Sequence, residues 1–333
     1  MKQHRSSYLF VTLGLVILLI ASMAVAGCTD NGTKSPVATP ASVSTPAAAV
    51  PANPTAAVSA PAVAATTAAT AAPAASGQKQ TISISGSTTV LPIVQKAADQ
   101  YMATHPNADI QVSGGGSGVG IQAIGAKTVD IGMTSREVTK DELKKYPGFV
   151  VTTVAKDGIA VIVNPANTIP YITLDQVRNI YLGKITKWTE ISGAGVPGTN
   201  NQIVVIGRDS ASGTRTYFDE TVLLKATPTS KMLEKNSNGA VTQTVAQTPG
   251  AIGYVSIGFV SSDVKAVPIW YNAQKIVAPT LDSVKTKTYP VSRDLYVITN
   301  GQPTGLAGDF IQYILSPEGQ KIVADEGYVT LNS

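Results

Sequence analysis

Four stretches of this chain combine small hydroxyl side chains with glycine or arginine, each at the end of an apolar, β-branched run. They are Gly86-Ser87-Thr88-Thr89, Ser113-Gly114-Gly115-Gly116-Ser117-Gly118, Thr134-Ser135-Arg136 and Arg208-Asp209-Ser210-Ala211-Ser212-Gly213-Thr214-Arg215. Three of the four open a segment with helical periodicity. A helix N-terminus presents unpaired N–H groups and a partial positive charge, so it attracts anions. Glycine lets the backbone approach a ligand closely, and Ser or Thr adds a neutral donor without bulk. Arg208 adds a planar fork that grips two oxygens at once, a geometry lysine lacks. Burying a charge without partners is very costly. Loops of this kind would saturate a dehydrated tetrahedral oxyanion with dipoles and one guanidinium. Alone, each loop also reads as a helix cap, Ser212 included, and Arg208 as an ion-pair partner of Asp209 or Asp219. Four of them at successive strand ends favour a ligand.

An α/β topology would gather such loops. Apolar runs predict strands at 81–85, 109–113, 130–133, 150–154, 159–163, 203–206, 252–255 and 295–299. Helical spacing predicts helices at 91–103, 120–126, 174–181, 214–224, 306–315 and 317–326, with Leu91, Val94, Ala98 and Tyr101 on one face of the first. Short strands alternating with helices indicate an α/β fold with mostly parallel sheets. In such sheets ligands bind beyond the carboxyl ends of the strands.

The N-terminus has a different task. Lys2 and Arg5 precede an apolar run from about Tyr8 to Val25, followed by Val25-Ala26-Gly27-Cys28, the marks of an export signal. A cysteine directly after small residues resembles the lipobox of prokaryotic lipoproteins, which implies a signal peptide over 1–27 and a lipid on Cys28. An uncleaved membrane anchor is the alternative reading. Residues 31–77 are nearly all Ala, Pro, Thr, Ser and Val without an aromatic residue, so 28–78 reads as a disordered stalk holding the folded part off the membrane. Asn31-Gly32-Thr33 is a glycosylation sequon within it.

Composition narrows the chemistry. The 333 residues carry a formal charge of +4 with no Lys/Arg cluster, which argues against nucleic acid. Cys28 is the single cysteine, so the folded part has neither a disulfide nor a Cys₂His₂ metal site. His4 and His105 are the two histidines, and neither is placed for a Ser-His-Asp constellation, although a Ser-Lys arrangement stays open. Gly118-Val119-Gly120-Ile121-Gln122-Ala123 fits a dinucleotide fingerprint formally, but without the acidic residue that should follow. No cofactor is expected.

From about Thr81 to Ser333 the chain resembles the phosphate-binding proteins that serve ABC-type phosphate importers, a branch of the class II periplasmic-type solute-binding proteins. The motifs are Ser85-Gly86-Ser87-Thr88-Thr89-Val90-Leu91-Pro92, Gly114-Gly115-Gly116-Ser117-Gly118, Val129-Asp130-Ile131-Gly132-Met133-Thr134-Ser135-Arg136 and Arg208-Asp209-Ser210-Ala211-Ser212-Gly213-Thr214. The resemblance implies a two-lobed α/β fold, two mixed or parallel sheets flanked by helices, with a hinge of two crossing strands. Lobe I would take 79–157 and 291–333, lobe II 158–290. Phosphate would be held by Ser87, Thr88, Thr89, Ser117, Ser135, Arg208, Ser212, Gly213 and Thr214. The resemblance further implies a non-enzymatic, lipid-anchored monomer on the outer face of the cytoplasmic membrane that delivers inorganic phosphate to an ABC permease. One departure stands out: Ser135 replaces the aspartate with which well-known members accept the phosphate proton. That leaves sulfate, molybdate or tungstate as alternative ligands. Asp157 would either supply the missing carboxylate or serve as a structural ion pair or turn cap. Arg136 would either face the anion or pair with Glu137 or Asp141.

Overall fold

The computed structural model describes residues 78–271 and 275–332. The 1–27 signal, Cys28 and the 28–78 stalk, apart from Gln78, lie outside the described residues. In the first stretch of chain, strand β1 (Gln80–Gly86) leads into α1 (Leu91–Thr104), β2 (Ala108–Ser113) into α2 (Ser117–Gly125), and β3 (Ile131–Thr134) into α3 (Lys140–Lys145). The long β4 (Phe149–Val163) follows, then β5 (Ile172–Thr173) and α4 (Leu174–Tyr181). Next come β6 (Val204–Arg208), α5 (Gly213–Thr221), β7 (Leu233–Lys235), α6 (Asn238–Gln247) and β8 (Ala251–Ser256). Short strands β9 (Lys265–Ala266), β10 (Ile269–Tyr271) and β11 (Lys275–Val277) precede α7 (Leu281–Lys285). Strand β12 (Ser292–Asn300) and helices α8 (Gly305–Leu315) and α9 (Pro317–Asp325) complete the fold.

The main ladder runs β2-β1-β3-β12-β4-β8-β6-β7, with β9 on β4, while β11-β10-β5 forms a small separate sheet. The pairs β1–β2, β1–β3, β6–β7 and β6–β8 are parallel. Strand β12 runs antiparallel to both β3 and β4, and β4 antiparallel to β8. The fold is therefore mixed α/β, and the mostly parallel expectation gives way at β4 and β12. The two sheets foreseen are continuous through β4. Segments 150–154 and 159–163, predicted as separate strands, are one strand, because Ala155 to Gly158 stay paired with Leu295 to Ser292. Asp157 and Gly158 look like a break in sequence. The break does not occur because Asp157 is buried opposite Arg293, its cross-strand partner.

Two large apolar cores lie on this ladder. One gathers Ile84, Val94, Ala98, Tyr101, Met133, Val154, Ala155, Leu295, Phe310 and Val323, under α1, α8 and α9. The other gathers Ile159 to Val163 with Tyr181, Trp188, Ile206, Phe218, Val245 and Tyr254. A small third cluster, Ile121, Ile124 and Ile298, seats α2. Strand β4 leaves the first core after Ala155 and enters the second at Ile159. The chain returns between Val291, in the second core, and Leu295, in the first. The two passages lie side by side, at Asp157 and Arg293.

Local sequence accounts for the helices that matter here. Pro92 sits in the first turn of α1, where its missing N–H costs nothing, and Ile93, Val94, Ala97, Ala98 and Tyr101 form the buried face. Helices α1 and α2 start without a side-chain cap, whereas Ser212 caps α5 by accepting from the Arg215 N–H. Helix α6 begins with Ser237 capping through the Ala240 N–H.

Candidate anion site

All four loops, together with the start of α6 and one residue each of β4 and β12, assemble into a single buried cluster of polar groups. Ser87, Thr88, Thr89, Ser117, Ser135, Asp157, Arg208, Ser212, Thr214, Asn238 and Arg293 are all buried. Thr89 Oγ1 and Thr214 Oγ1, 125 residues apart in sequence, lie 3.1 Å apart. Ser117 Oγ accepts from the Ser135 N–H at 3.0 Å and lies 3.3 Å from Ser135 Oγ. A Cβ on Gly213 would overlap Ser117 Oγ and come within 3.0 Å of Ser135 Oγ. Gly116, at φ +100°, is equally constrained: its Cβ would meet the Ala211 carbonyl oxygen at 2.6 Å. The Gly118 N–H donates to that same carbonyl at 2.9 Å. The second and fourth loops thus touch backbone to backbone, and the third joins them through the Ser117 and Ser135 hydroxyls.

Arg208 is 1% exposed and held on one edge by its surroundings. Nε donates to the Lys235 carbonyl at 3.2 Å, and Nη2 to the Asn236 carbonyl and Thr88 Oγ1, both at 3.2 Å. Nη1 is buried and finds no protein acceptor among the described residues. Burial pushes the guanidinium pKa down to about 10. Asp209 and Tyr254 oppose the shift, and the charge of Arg293 adds to it. The group stays protonated at neutral pH, so a buried cation with an open donor faces this cluster.

Hydroxyl bookkeeping gives the cluster a direction. A hydroxyl has one proton to donate and two lone pairs. Thr88 Oγ1 accepts from Arg208 Nη2 and, at 3.3 Å, from Asn238 Nδ2, so its own proton must point elsewhere. Thr89 Oγ1 accepts from Asn238 Nδ2 at 3.0 Å, and Arg293 Nη2, with one proton on Asp157, shares its other between Thr214 Oγ1 at 3.0 Å and Thr89 Oγ1 at 3.3 Å. One hydroxyl proton lies between Thr89 and Thr214, whichever of them donates it, and the other is left to donate outward. Guanidinium and amide groups occupy most of the lone pairs, so Thr88 and one of the Thr89–Thr214 pair become donors. An arrangement that converts ambivalent hydroxyls into donors suits an anion.

Several expected residues serve the loops themselves. Ser87 Oγ accepts from the Thr89 N–H at 3.2 Å, and its carbonyl accepts from Val90 and Leu91 N–H, tightening the turn ahead of α1. Ser212 is the cap of α5. Asp157 is fully buried and spoken for: Oδ1 accepts from Ser256 Oγ at 2.7 Å, and Oδ2 takes Arg293 Nε at 3.0 Å and Nη2 at 2.7 Å. Burial raises its carboxyl pKa, against the opposing pull of Arg293 and Ser256. Of its two readings the ion pair is the one observed, and Asp157 reaches Thr89 and Thr214 through Arg293. Arg136 also pairs, but neither Glu137 nor Asp141 supplies the carboxylate. Its two terminal nitrogens grip Glu142 at 2.7 and 2.8 Å. Glu142 is the better placed because the Thr139 capping box already fixes it at the start of α3.

Sequence reasoning passed over Asn238 and Arg293. Asn238 had a legible signal: Asn236-Ser237-Asn238-Gly239 is one more polar, glycine-containing turn between a strand and a helix. Its amide bridges Thr88 and Thr89, and Oδ1 accepts from the Ser256 N–H at 3.3 Å. Arg293 gave no signal, since a single arginine in a strand reads as a solvated side chain.

A family model described as a PBP superfamily domain matches residues 64–318. The phosphate-binding protein PstS of Bacillus subtilis (strain 168) is 34% identical over 260 residues, covering 77% of this chain and 83% of that protein. The PstS of Pseudomonas aeruginosa PAO1 is 30% identical over 278 residues, covering 77% and 85%. Among solved structures, a phosphate ABC transporter substrate-binding protein with bound phosphate from Clostridium perfringens superposes with a TM-score of 0.69 at 34% identity, over 76% of this chain and 100% of that one. An ABC-type phosphate transport receptor from Vibrio cholerae gives 0.61 at 31% identity, over 75% and 99%.

Proposed function

The chain belongs to the PBP superfamily and, within it, to the phosphate-binding proteins, and from that premise we propose that it captures inorganic phosphate for an ABC importer. The observation that carries this reading is the donor cluster itself: Arg208 with an open Nη1, a Thr88 hydroxyl left to donate, and one proton of the Thr89–Thr214 pair left to donate outward. Thr88, Thr89, Ser117, Ser135, Arg208, Gly213 and Thr214 line the ligand in this reading, while Ser87 and Ser212 shape the loops around it. Residues 79–157 with 291–333, and residues 158–290, act as two lobes that close on the anion about the paired passages of β4 and β12. The chain works as a binding protein and not an enzyme, as a monomer exported and tethered outside the cytoplasmic membrane through a lipid on Cys28.

A second reading, capture of another tetrahedral oxyanion, is favoured by one observation. Ser135 offers a hydroxyl where an aspartate would reject unprotonated sulfate, and Asp157 is already committed to Arg293. Calorimetric titration of the EDTA-treated chain with phosphate, sulfate and molybdate at two pH values separates the two. The expected result is tight phosphate binding that needs no metal; heat from sulfate or molybdate alone would replace the phosphate assignment. For the anchor, Cys28→Ser is expected to abolish lipid labelling and release the protein or leave its signal uncleaved. Normal processing with full membrane retention would point to another attachment.

A further inference from the structure

We propose that Arg293, delivered by strand β12 at the passage between the two cores, grips the bound anion as a second guanidinium beside Arg208. This rests on the phosphate reading and extends it to a residue that sequence reasoning passed over. Arg293 is 6% exposed, and its neighbours occupy one edge only. Nε and Nη2 converge on the single oxygen Oδ2 of Asp157, at 3.0 and 2.7 Å, and the second Nη2 proton is shared between Thr214 and Thr89. Nη1 is buried without a protein acceptor among the described residues, as is Nη1 of Arg208. Buried donors are nearly always paired, and one left open costs its full desolvation. Two such donors lie on guanidiniums whose other amino groups enter the same Thr88–Thr89–Thr214 hydroxyl cluster.

A purely structural pair would be built differently. Asp157 turns its second oxygen to Ser256 and holds Arg293 by one edge, when a fork-to-fork contact would use both oxygens. A buried ion pair is also weak evidence of stabilisation, because desolvation offsets most of the attraction. Held this way, Arg293 keeps a free Nη1 beside the amino group that enters the cluster, and two buried guanidiniums stand against one buried carboxylate, with only the partly exposed Asp209 beside Arg208. That residual positive charge is what an oxyanion relieves.

Isothermal titration of phosphate into wild type, Arg208→Lys, Arg293→Lys and the double variant Asp157→Asn/Arg293→Gln tests this, with a melting curve of each ligand-free protein. Arg293→Lys keeps a charge opposite Asp157 but loses the second arm, and the double variant removes both charges together so that no uncompensated ion stays buried. Phosphate affinity is expected to fall more than tenfold in both Arg293 variants, as in Arg208→Lys, with the ligand-free double variant still melting cooperatively. Wild-type phosphate affinity in either Arg293 variant overturns the inference and leaves the phosphate reading intact if Arg208→Lys still binds weakly. Absence of phosphate heat from wild type overturns both.

Discussion

Arg136 and Arg208 occupy similar places in sequence, each in a serine-containing loop where a strand ends, yet the fold gives them opposite surroundings. Arg136 is gripped through both terminal nitrogens by Glu142, six residues on, and also donates to the Glu137 carbonyl. Arg208 has Asp209 next to it, but Asp209 turns Oδ1 to the Ala211 N–H at 3.1 Å and shapes its own loop. Arg208 is left with carbonyls, a threonine and an open donor. Whether an arginine in a hydroxyl-rich loop serves a ligand therefore depends on where the nearest carboxylate spends its lone pairs, and loop composition alone does not settle it.

The sharpest way to break this contrast is to make the same substitution at both positions. Arg208→Lys keeps the charge and loses the planar fork, so phosphate affinity is expected to fall by about 1.5–3 kcal/mol, more than tenfold. Arg136→Lys is expected to change it less than twofold, because its partner is Glu142. Titration calorimetry of the two variants side by side reads both numbers. Equal losses would place Arg136 at the anion as well. No loss at Arg208 would make it structural and remove the contrast.

The same logic marks what the amino-acid sequence disclosed. Most of the strands and helices, α6 excepted, and the four hydroxyl loops were legible because each is local: apolar alternation, a proline in a first turn, Ser or Gly ahead of a helix. Helix α3 was missed because it is only six residues long, and its Lys140–Lys145 surface has no buried face to give a period. The union of 150–154 with 159–163 was illegible because it depends on Arg293, more than a hundred residues away, covering Asp157. Arg293 itself, and the choice of Glu142 over Glu137 and Asp141, are likewise matters of tertiary pairing. Asn238 is the exception. Its polar turn is local, but the elements it joins, β7 and α6, were not among the predicted strands and helices, so nothing marked it as a strand-to-helix loop.

The smallest effect sharpens the other side of the comparison. Burial alone would raise the Glu142 carboxyl pKa, but hydrogen bonds from Arg136 and from the Thr139 backbone outweigh it and hold the group below the ordinary carboxylate range. A carboxylate with a lower pKa folded than unfolded binds its proton less tightly in the folded state. Its contribution to stability is therefore present above the unfolded value, about 4.3, and is lost as pH falls through the lower folded value. Glu142→Gln removes that charge while keeping an acceptor for the Thr139 capping box, since glutamine serves there too. At pH 7 the variant should melt slightly below wild type, by an amount matching well under about 1 kcal/mol for a partly solvated pair. The gap should close as pH is lowered below about 4, because wild type then loses the same charge. Phosphate affinity at pH 7 should not move, since Arg136 and Glu142 serve only each other and their own loop. A melting gap that stays constant across that pH range would mean that Glu142 acts through its cap and not through Arg136. A phosphate affinity that shifts with Glu142→Gln would return Arg136 to the anion site.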